Sequence, residues 1–379
     1  MEIYVVQPGD TVNTIAAAFS IEQEKLISDN QLLEPYELAI GQALFIGTGE
    51  RNPSLTISVS GYAYPFIRPW ILMQTLPYLS ELPIFSYGFT NEGELIPPLL
   101  DDEWMINMAL RYGTQPILTM TPFGPDGQFN NQLISSIVNN QQFKDTLIRN
   151  MLQLMQTKGY QGVDIDFEYI LASDRDAFTA FVQQVAETMR ANGYHTSVAL
   201  APKTSADQTG LLYEGKDYRA IGDAADHVLL MTYEWGFTYG PPMAVAPINQ
   251  VRRVLDYAVT EIPREKIDLG IPNYGYDWPL PFERGITRAK TIGNVEAVRI
   301  AVQNGAQIQF DEVAQSPYFR YTDAFTGVEH EVWFEDVRSL QAKFDLIKEY
   351  NLRGCGYWQI MQWFRANWML LYENFYIKK

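Results

Sequence analysis

The chain has 379 residues, 47% of them hydrophobic, and a formal charge of -17. The length suits one large domain of roughly 250 residues or more with something smaller beside it. The acidity, with a pI near 4.6, argues against nucleic acid and anionic membrane surfaces, which are gripped by clustered Lys and Arg. The N-terminus, MEIYVVQPGD, has neither the basic region nor the apolar run of an ordinary signal peptide. No stretch approaches the ~18 apolar residues of a membrane helix.

Residues 1–47 read as a β-α-α-β unit. IYVV is a strand, QPGD a turn, and TVNTIAAAF a helix with Val12, Ile15, Ala16 and Phe19 on one face. Ser20 followed by Gln23 has the spacing of a capping box for a second helix carrying Leu26 and Ile27, and GQALFI returns as a strand. The pattern YVVQPGDTVNTIA…N…L…IGQALFI resembles a LysM domain, which implies binding to N-acetylglucosamine-containing glycans. Residues 48–54, rich in Gly, Pro and Ser, read as a linker, so the unit is expected to act as a tethered binder.

Beyond the linker, apolar strands alternate with amphipathic helices. The strands are LTISVSGY, LPIFSYGF, QPILTM, GVDIDFE, TSVALAP, HVLLMTY, IDLGIPNY and GCGYWQI. RDAFTAFVQQVAETMRANG is representative of the helices, with a stripe of Phe178, Phe181, Val185 and Met189 and a stop at Gly193. Eight strands with intervening helices fit an α/β fold, a (β/α)8 TIM barrel over 55–379. The seventh interval is too long for one helix and predicts a small α+β insertion at about 283–333. Phe364, Trp368, Leu371 and Phe375 recur at helical spacing and predict a core-facing C-terminal helix. Cys355, the only cysteine, lies in an apolar strand and reads as structural. His195, His227 and His330 show no ligand spacing, so no metal is expected.

Within GVDIDFE, Asp164, Asp166 and Glu168 alternate with Val163, Ile165 and Phe167. A strand has a side-chain period of two, so the three carboxyls share one face. Burial and mutual repulsion raise such pKa values and cost stability, which calls for a chemical reason. Barrel chemistry sits at the C-terminal ends of strands. The polar and aromatic residues there are Tyr87, Glu168, Tyr233, Glu234, Trp235, Asn273, Tyr274, Trp358 and Gln359. Aromatics form 13% of the chain, which suits a site that grips the faces of sugars.

GVDIDFE resembles the DxxDxDxE signature of glycoside hydrolase family 18, and MTYEW, GIPNYGYDW and GYW resemble its sixth, seventh and eighth strand motifs. Gln161 stands where the signature has its first Asp; it is expected at the buried end of the strand, with an effect on tuning alone. The resemblance implies that Glu168 is the general acid, its pKa raised by its two carboxylate neighbours. It implies that Asp166 turns between Asp164 and the substrate acetamide, that Tyr233 holds the acetamide oxygen, and that Trp358 floors the sugar. Gln359, Tyr87, Glu234, Trp235, Asn273 and Tyr274 are expected to bind substrate. Members of this family use the substrate's own acetamide as nucleophile, an exception among glycosidases, so no cofactor is implied. Non-proline cis peptides are expected at Glu168–Tyr169, Trp358–Gln359 and Ser86–Tyr87.

LysM plus this hydrolase resembles bacterial spore-germination hydrolases of cortex peptidoglycan. That implies β-N-acetylglucosaminidase action in the spore coat, cortex or cell wall, with a glycan partner and no protein, nucleic-acid or membrane partner. A chitinase would share every catalytic residue. A catalytically inactive, lectin-like glycan binder is the alternative from another class.

Overall fold

The computed structural model describes the chain except Thr48, Glu50, Asn52, Pro125 and Asp126, so part of the expected linker lies outside the described residues. The N-terminal unit pairs β1 (Glu2–Val5) with β2 (Ala43–Ile46) antiparallel. Two helices, Val12–Phe19 and Gln23–Asn30, lie between them. The capping box belongs to the first helix, where Thr11 and Thr14 satisfy each other's N–H groups. Ser20 instead ends that helix in the left-handed region at φ 54°, and the second helix starts after Glu22 without a side-chain cap. The expected Ser20–Gln23 box therefore does not form: the turn consumes Ser20 as a C-cap.

The main sheet comprises β3 (Leu55–Gly61), β4 (Glu81–Phe89), the short β5 (Leu95–Ile96), β6 (Gln115–Met120), β7 (Gly162–Ile165), β8 (His195–Leu200), β9 (His227–Leu230) and β10 (Ile267–Pro272). An insertion follows, built from β11 (Gly275–Pro279), β12 (Lys290–Ile292), β13 (Gln309–Asp311), β14 (Ser316–Thr322) and β15 (Glu329–Trp333), with a helix at Asn294–Gln303. Its sheet begins at Gly275, earlier than the sequence pattern indicated. The chain then returns through β16 (Gly354–Trp358) and ends in β17 (Phe375–Ile377). β3, β4, β6, β7, β8, β9, β10 and β16 are parallel neighbours in that order. β16 pairs back onto β3 and closes the (β/α)8 barrel. The C-terminal helix runs Arg365–Asn374 and buries Trp368 and Leu371, whereas Phe375 has already joined β17 beside Leu55.

Period two explains the packing. Val163, Ile165 and Phe167 face outward and are fully buried under the helix Arg175–Ala191, where Phe167 lies 6.0 Å from Phe178 and 5.7 Å from Phe181. The alternate residues face the barrel axis.

The N-terminal unit is docked rather than tethered. Phe45 belongs to the barrel's own core. Ile308 donates its N–H to the Ile40 carbonyl at 2.9 Å. Gly41, at φ 84°, lies so close that a Cβ there would sit 1.8 Å from the Ile308 oxygen. Arg365 reaches Asp29 at 3.1 Å, and its N–H meets Gln31 Oε1 at 2.6 Å. Arg51, in the expected linker, donates to the carbonyls of Tyr372 and Phe375, both at 2.7 Å.

Candidate active site

At the C-terminal end of the barrel a cleft of about 540 Å³ opens. The three acids climb toward it from below. Asp164 is fully buried and accepts hydrogen bonds from Ser197 Oγ at 2.6 Å and Tyr62 OH at 2.8 Å. Asp166 prolongs β7 beyond its regular ladder, donating its N–H to the Met120 carbonyl at 2.9 Å. Its Oδ1 is buried and has no hydrogen-bond partner among the described residues. Asp166 and Glu168 both line the cleft.

Trp358 lines the same cleft and is fenced by aromatics: Phe85 at 5.0 Å, Tyr62 at 5.7 Å and Tyr64 at 6.0 Å between ring centres. Tyr233, Glu234 and Trp235 enter from the segment after β9. Glu234 has a left-handed backbone, φ 67°, which turns its carboxylate toward two phenols. Tyr274 OH donates to it, and Tyr276 OH does so at 2.9 and 3.1 Å.

Burial is the leading cause of the raised pKa of Asp164, with Ser197 and Tyr62 opposing it. Burial also leads for Asp166, which is pushed well up and further raised by Glu168 and Asp164. Glu168 is raised by burial and held back by Lys216. Neighbouring carboxylates, expected to raise Glu168, instead add to the burial that raises Asp166 and are not among the causes for Glu168. Glu234 is open to the cleft, yet the protein around it raises its carboxyl too, against the two phenols.

Of the remaining residues expected to bind substrate, four lie elsewhere. Tyr87 is buried on the outside of the barrel, 5.9 Å from Lys158 Nζ. The register of β4 shifts between Ile84 and Tyr87, which brings Phe85 to the mouth instead. Asn273 clamps the segment after β16 through the carbonyls of Gln359 and Gln362, at 3.1 and 2.9 Å. Gln359 turns its Oε1 to the Met361 N–H at 2.6 Å, and Tyr274 stands behind Glu234. The described non-proline cis bonds are Phe85–Ser86 and Trp358–Gln359. The second was expected, the first lies one bond before the expected Ser86–Tyr87, and Glu168–Tyr169 is not among them. Gln161 is exposed rather than buried, at the end of β7 far from the cleft. Tyr62, Tyr213 and Phe237 also line the cleft; Tyr62 ends its strand motif, a position the strand-end rule already marks.

The histidines are not all scattered. His195 and His227 meet Glu81 at the opposite, N-terminal end of the barrel, with potential ligand atoms of all three within 4.8 Å. Parallel pairing of β8 and β9 brings the two imidazoles together. Arg353 already occupies the acids there, 2.6 Å from both Glu81 and Asp268, and His227 Nδ1 lies 2.9 Å from Asp268. A permanent guanidinium makes this a charge network rather than a cation cradle.

Residues 119–362 match Glycosyl hydrolases family 18, and residues 4–47 match the LysM domain. The chain belongs to glycosyl hydrolases family 18. The "Cortical fragment-lytic enzyme" of Bacillus subtilis (strain 168) is 39% identical, with 100% of this chain and 99% of that protein aligned. The solved spore cortex-lytic enzyme SleL of Bacillus megaterium QM B1551 superposes with a TM-score of 0.94 at 35% identity, covering 100% of this chain and 98% of that one. A chitinase from Chromobacterium violaceum ATCC 12472 shares the fold at 24% identity and a TM-score of 0.77, over 84% of this chain and 98% of its own. The family 18 barrel and the LysM unit both imply N-acetylglucosamine-containing glycans as what the protein binds.

Proposed function

We propose that this glycosidase cleaves the β-1,4 bond after N-acetylglucosamine in peptidoglycan of the bacterial spore cortex or cell wall, with Glu168 as general acid. The observation that carries the reading is the file of three carboxyls running along and out of β7, with Asp164 and Asp166 buried and Glu168 half-buried in an aromatic-walled cleft. A carboxyl kept protonated near neutral pH is what proton donation to a leaving oxygen requires.

In this reading Trp358 lies beneath the N-acetylglucosamine on the cleaved side, and its acetamide points down toward Asp166 and Tyr233. Glu168 gives its proton to the glycosidic oxygen while the acetamide oxygen attacks the anomeric carbon. The glycosidic bond breaks and an oxazolinium ion forms. Asp166, with an unsatisfied oxygen, accepts the acetamide N–H, and the Tyr233 hydroxyl donates to the acetamide oxygen. Glu168, now a carboxylate, takes a proton from the water that opens the ring, giving net retention. Full-length similarity to cortical fragment-lytic enzymes favours peptidoglycan over chitin, and the docked LysM unit supports a long glycan as substrate.

The test is product analysis by mass spectrometry on cortex fragments and on chitin oligomers. New reducing-end N-acetylglucosamine from cortex fragments is the expected result. Cleavage of chitin alone would replace the reading with a chitinase, and binding of both without products would make the protein a glycan-binding relative.

A further inference from the structure

Lys216 is fully buried, and its ammonium has no hydrogen-bond partner among the described residues. Burying an ammonium is costly unless another charge offsets it, so its position needs a cause. The loop that carries it is held firmly. Lys203 Nζ donates to the Lys216 carbonyl at 3.1 Å. Asp217, the next residue, caps the helix Tyr218–Ala224 and pairs with Arg175 at 2.7 Å. On the other side, Gly215 lies against the chain just beyond Glu168: a Cβ there would sit 2.4 Å from the Ile170 oxygen. The loop is thereby pressed onto the segment that ends in the acid.

The groups facing Glu168 are nearly all of one kind. Asp166 and Tyr169 come from its own segment, Tyr64 from the segment after β3, and Tyr233 and Glu234 from the segment after β9. Each is an acid or a phenol. Lys216, from the segment after β8, supplies the positive charge that acts on both Asp166 and Glu168.

We propose that Lys216 is a positioning residue for proton transfer, its buried and unpartnered ammonium stabilising the carboxylate left on Glu168 when the proton goes to the glycosidic oxygen. This rests on the reading of Glu168 as the acid. Lys216 takes no part in the transfer itself; only the Glu168 proton moves. The electrostatics agree in direction. Burial raises Asp166 and Glu168 while Lys216 pulls both down, and Lys216 is itself lowered to about 8 by burial. Without Lys216 the acid would bind its proton too tightly to release it well, since general acid efficiency falls as the pKa climbs above the working pH.

The experiment is the pH dependence of kcat/KM on a soluble glycan for wild type, Lys216→Met, Lys216→Arg and Glu168→Gln. Lys216→Met is expected to have a lower plateau and an alkaline limb displaced upward by about 1–3 pH units, the effect of an opposite charge at close range. Lys216→Arg should keep the limb near its wild-type position, because it keeps the charge. Glu168→Gln should fall by about 10²–10⁴-fold at every pH. If Glu168→Gln retains near wild-type activity, the acid assignment itself falls. If Glu168→Gln falls by that much while Lys216→Met loses rate with its limb unmoved, Lys216 is merely structural and the proposal is overturned with the acid intact. Should Lys216→Met be too unstable to assay, thermal unfolding in the Glu168→Gln background decides. A change in the cost of the Lys216 substitution there supports charge coupling between the two side chains, and an unchanged cost overturns it.

Discussion

The mouth and the foot of the barrel both bury carboxyls inside the same ring of strands, but in different company. At the mouth, Asp164, Asp166 and Glu168 are all raised above their ordinary values, burial leading in each case. At the foot, Glu81 is as deeply buried as Asp166 yet is lowered to about 2. Burial pushes it up as well; His227, Arg353 and His195 outweigh that push. Arg353 makes direct 2.6 Å contacts with Glu81 and Asp268, whereas Lys216 at the mouth touches no acid through a hydrogen bond among the described residues. A hydrogen-bonded guanidinium therefore turns a buried acid into a structural ion, and a detached ammonium leaves it able to hold a proton. The division agrees with the usual one in these barrels, chemistry at the C-terminal face and stability at the N-terminal face.

The largest expected effect is at the mouth. Glu168→Gln should lower turnover by about 10²–10⁴-fold, measured on a substrate with a poor leaving group. Burial disfavours an ionised Glu168 while Lys216 favours it, so the same change should leave thermal stability at neutral pH close to that of wild type. At the foot the pattern inverts. Glu81→Gln leaves Arg353 with one carboxylate in place of two, and breaking a buried ion pair costs about 3–5 kcal/mol. Unfolding temperature should fall while kcat of the folded enzyme holds. A variant at either end that changed both properties alike would erase the distinction.

Stability against pH sharpens the same contrast. Glu81 is lowered from 4.5, so its contribution is complete above that value and is lost as pH falls toward about 2. Asp166 is raised from 3.8, so its ionisation costs stability as pH rises beyond that value. The gap between wild type and Glu81→Gln should narrow on acidification from about pH 4.5. Asp166→Asn should gain on wild type as pH rises from about 4. Thermal unfolding across that range gives both slopes, and slopes of the same sign would contradict the opposite assignments.

Removing residues 1–47 is a smaller and more mixed perturbation. The unit shares Phe45 with the barrel core and pairs Asp29 with Arg365, so truncation should lower the unfolding temperature of the remainder. It should also weaken action on insoluble sacculi more than on soluble glycans, because a docked binder raises local concentration. Comparing the two substrates at a temperature where the truncated protein is folded separates these effects.

The strands and the acid file were legible because both rest on a period of two, a local property of the chain. Asp164, Asp166 and Glu168 could be assigned to one face before any contact was known. What eluded the sequence depends on partners distant along the chain. Tyr87 looked inward until the irregular register of β4 gave that place to Phe85. Lys216 sits in a polar loop, where a lysine ordinarily reads as solvated; its burial goes with packing between segments far apart in the chain, Gly215 against Ile170 among them. His195 and His227 stand 32 positions apart and meet through strand pairing alone. The docking of the N-terminal unit hinges on Arg365 and Ile308, neither of which carries a local signal.

The least effect is expected at Gln161, where the family signature has an acid, and it bears on whether the two ends are insulated. Gln161 is exposed and donates its side-chain amide to the Gly159 carbonyl at 3.1 Å. Seven residue steps separate it from Glu168, a span of up to about 23 Å at 3.3 Å per residue for extended chain. That exceeds the Debye length of about 10 Å at 0.1 M salt, so a charge placed there is screened from the acid. Gln161→Asp forfeits one exposed hydrogen bond, and surface changes of this kind stay within about 0.5 kcal/mol. The pH profiles of kcat/KM for wild type and Gln161→Asp should therefore superimpose at 0.1 M salt, with unfolding temperatures nearly equal. A displaced alkaline limb would mean that charge at the foot reaches the acid along β7. The mouth would then owe part of its raised pKa values to the far end of the strand, and burial together with the neighbouring carboxyls would no longer account for them.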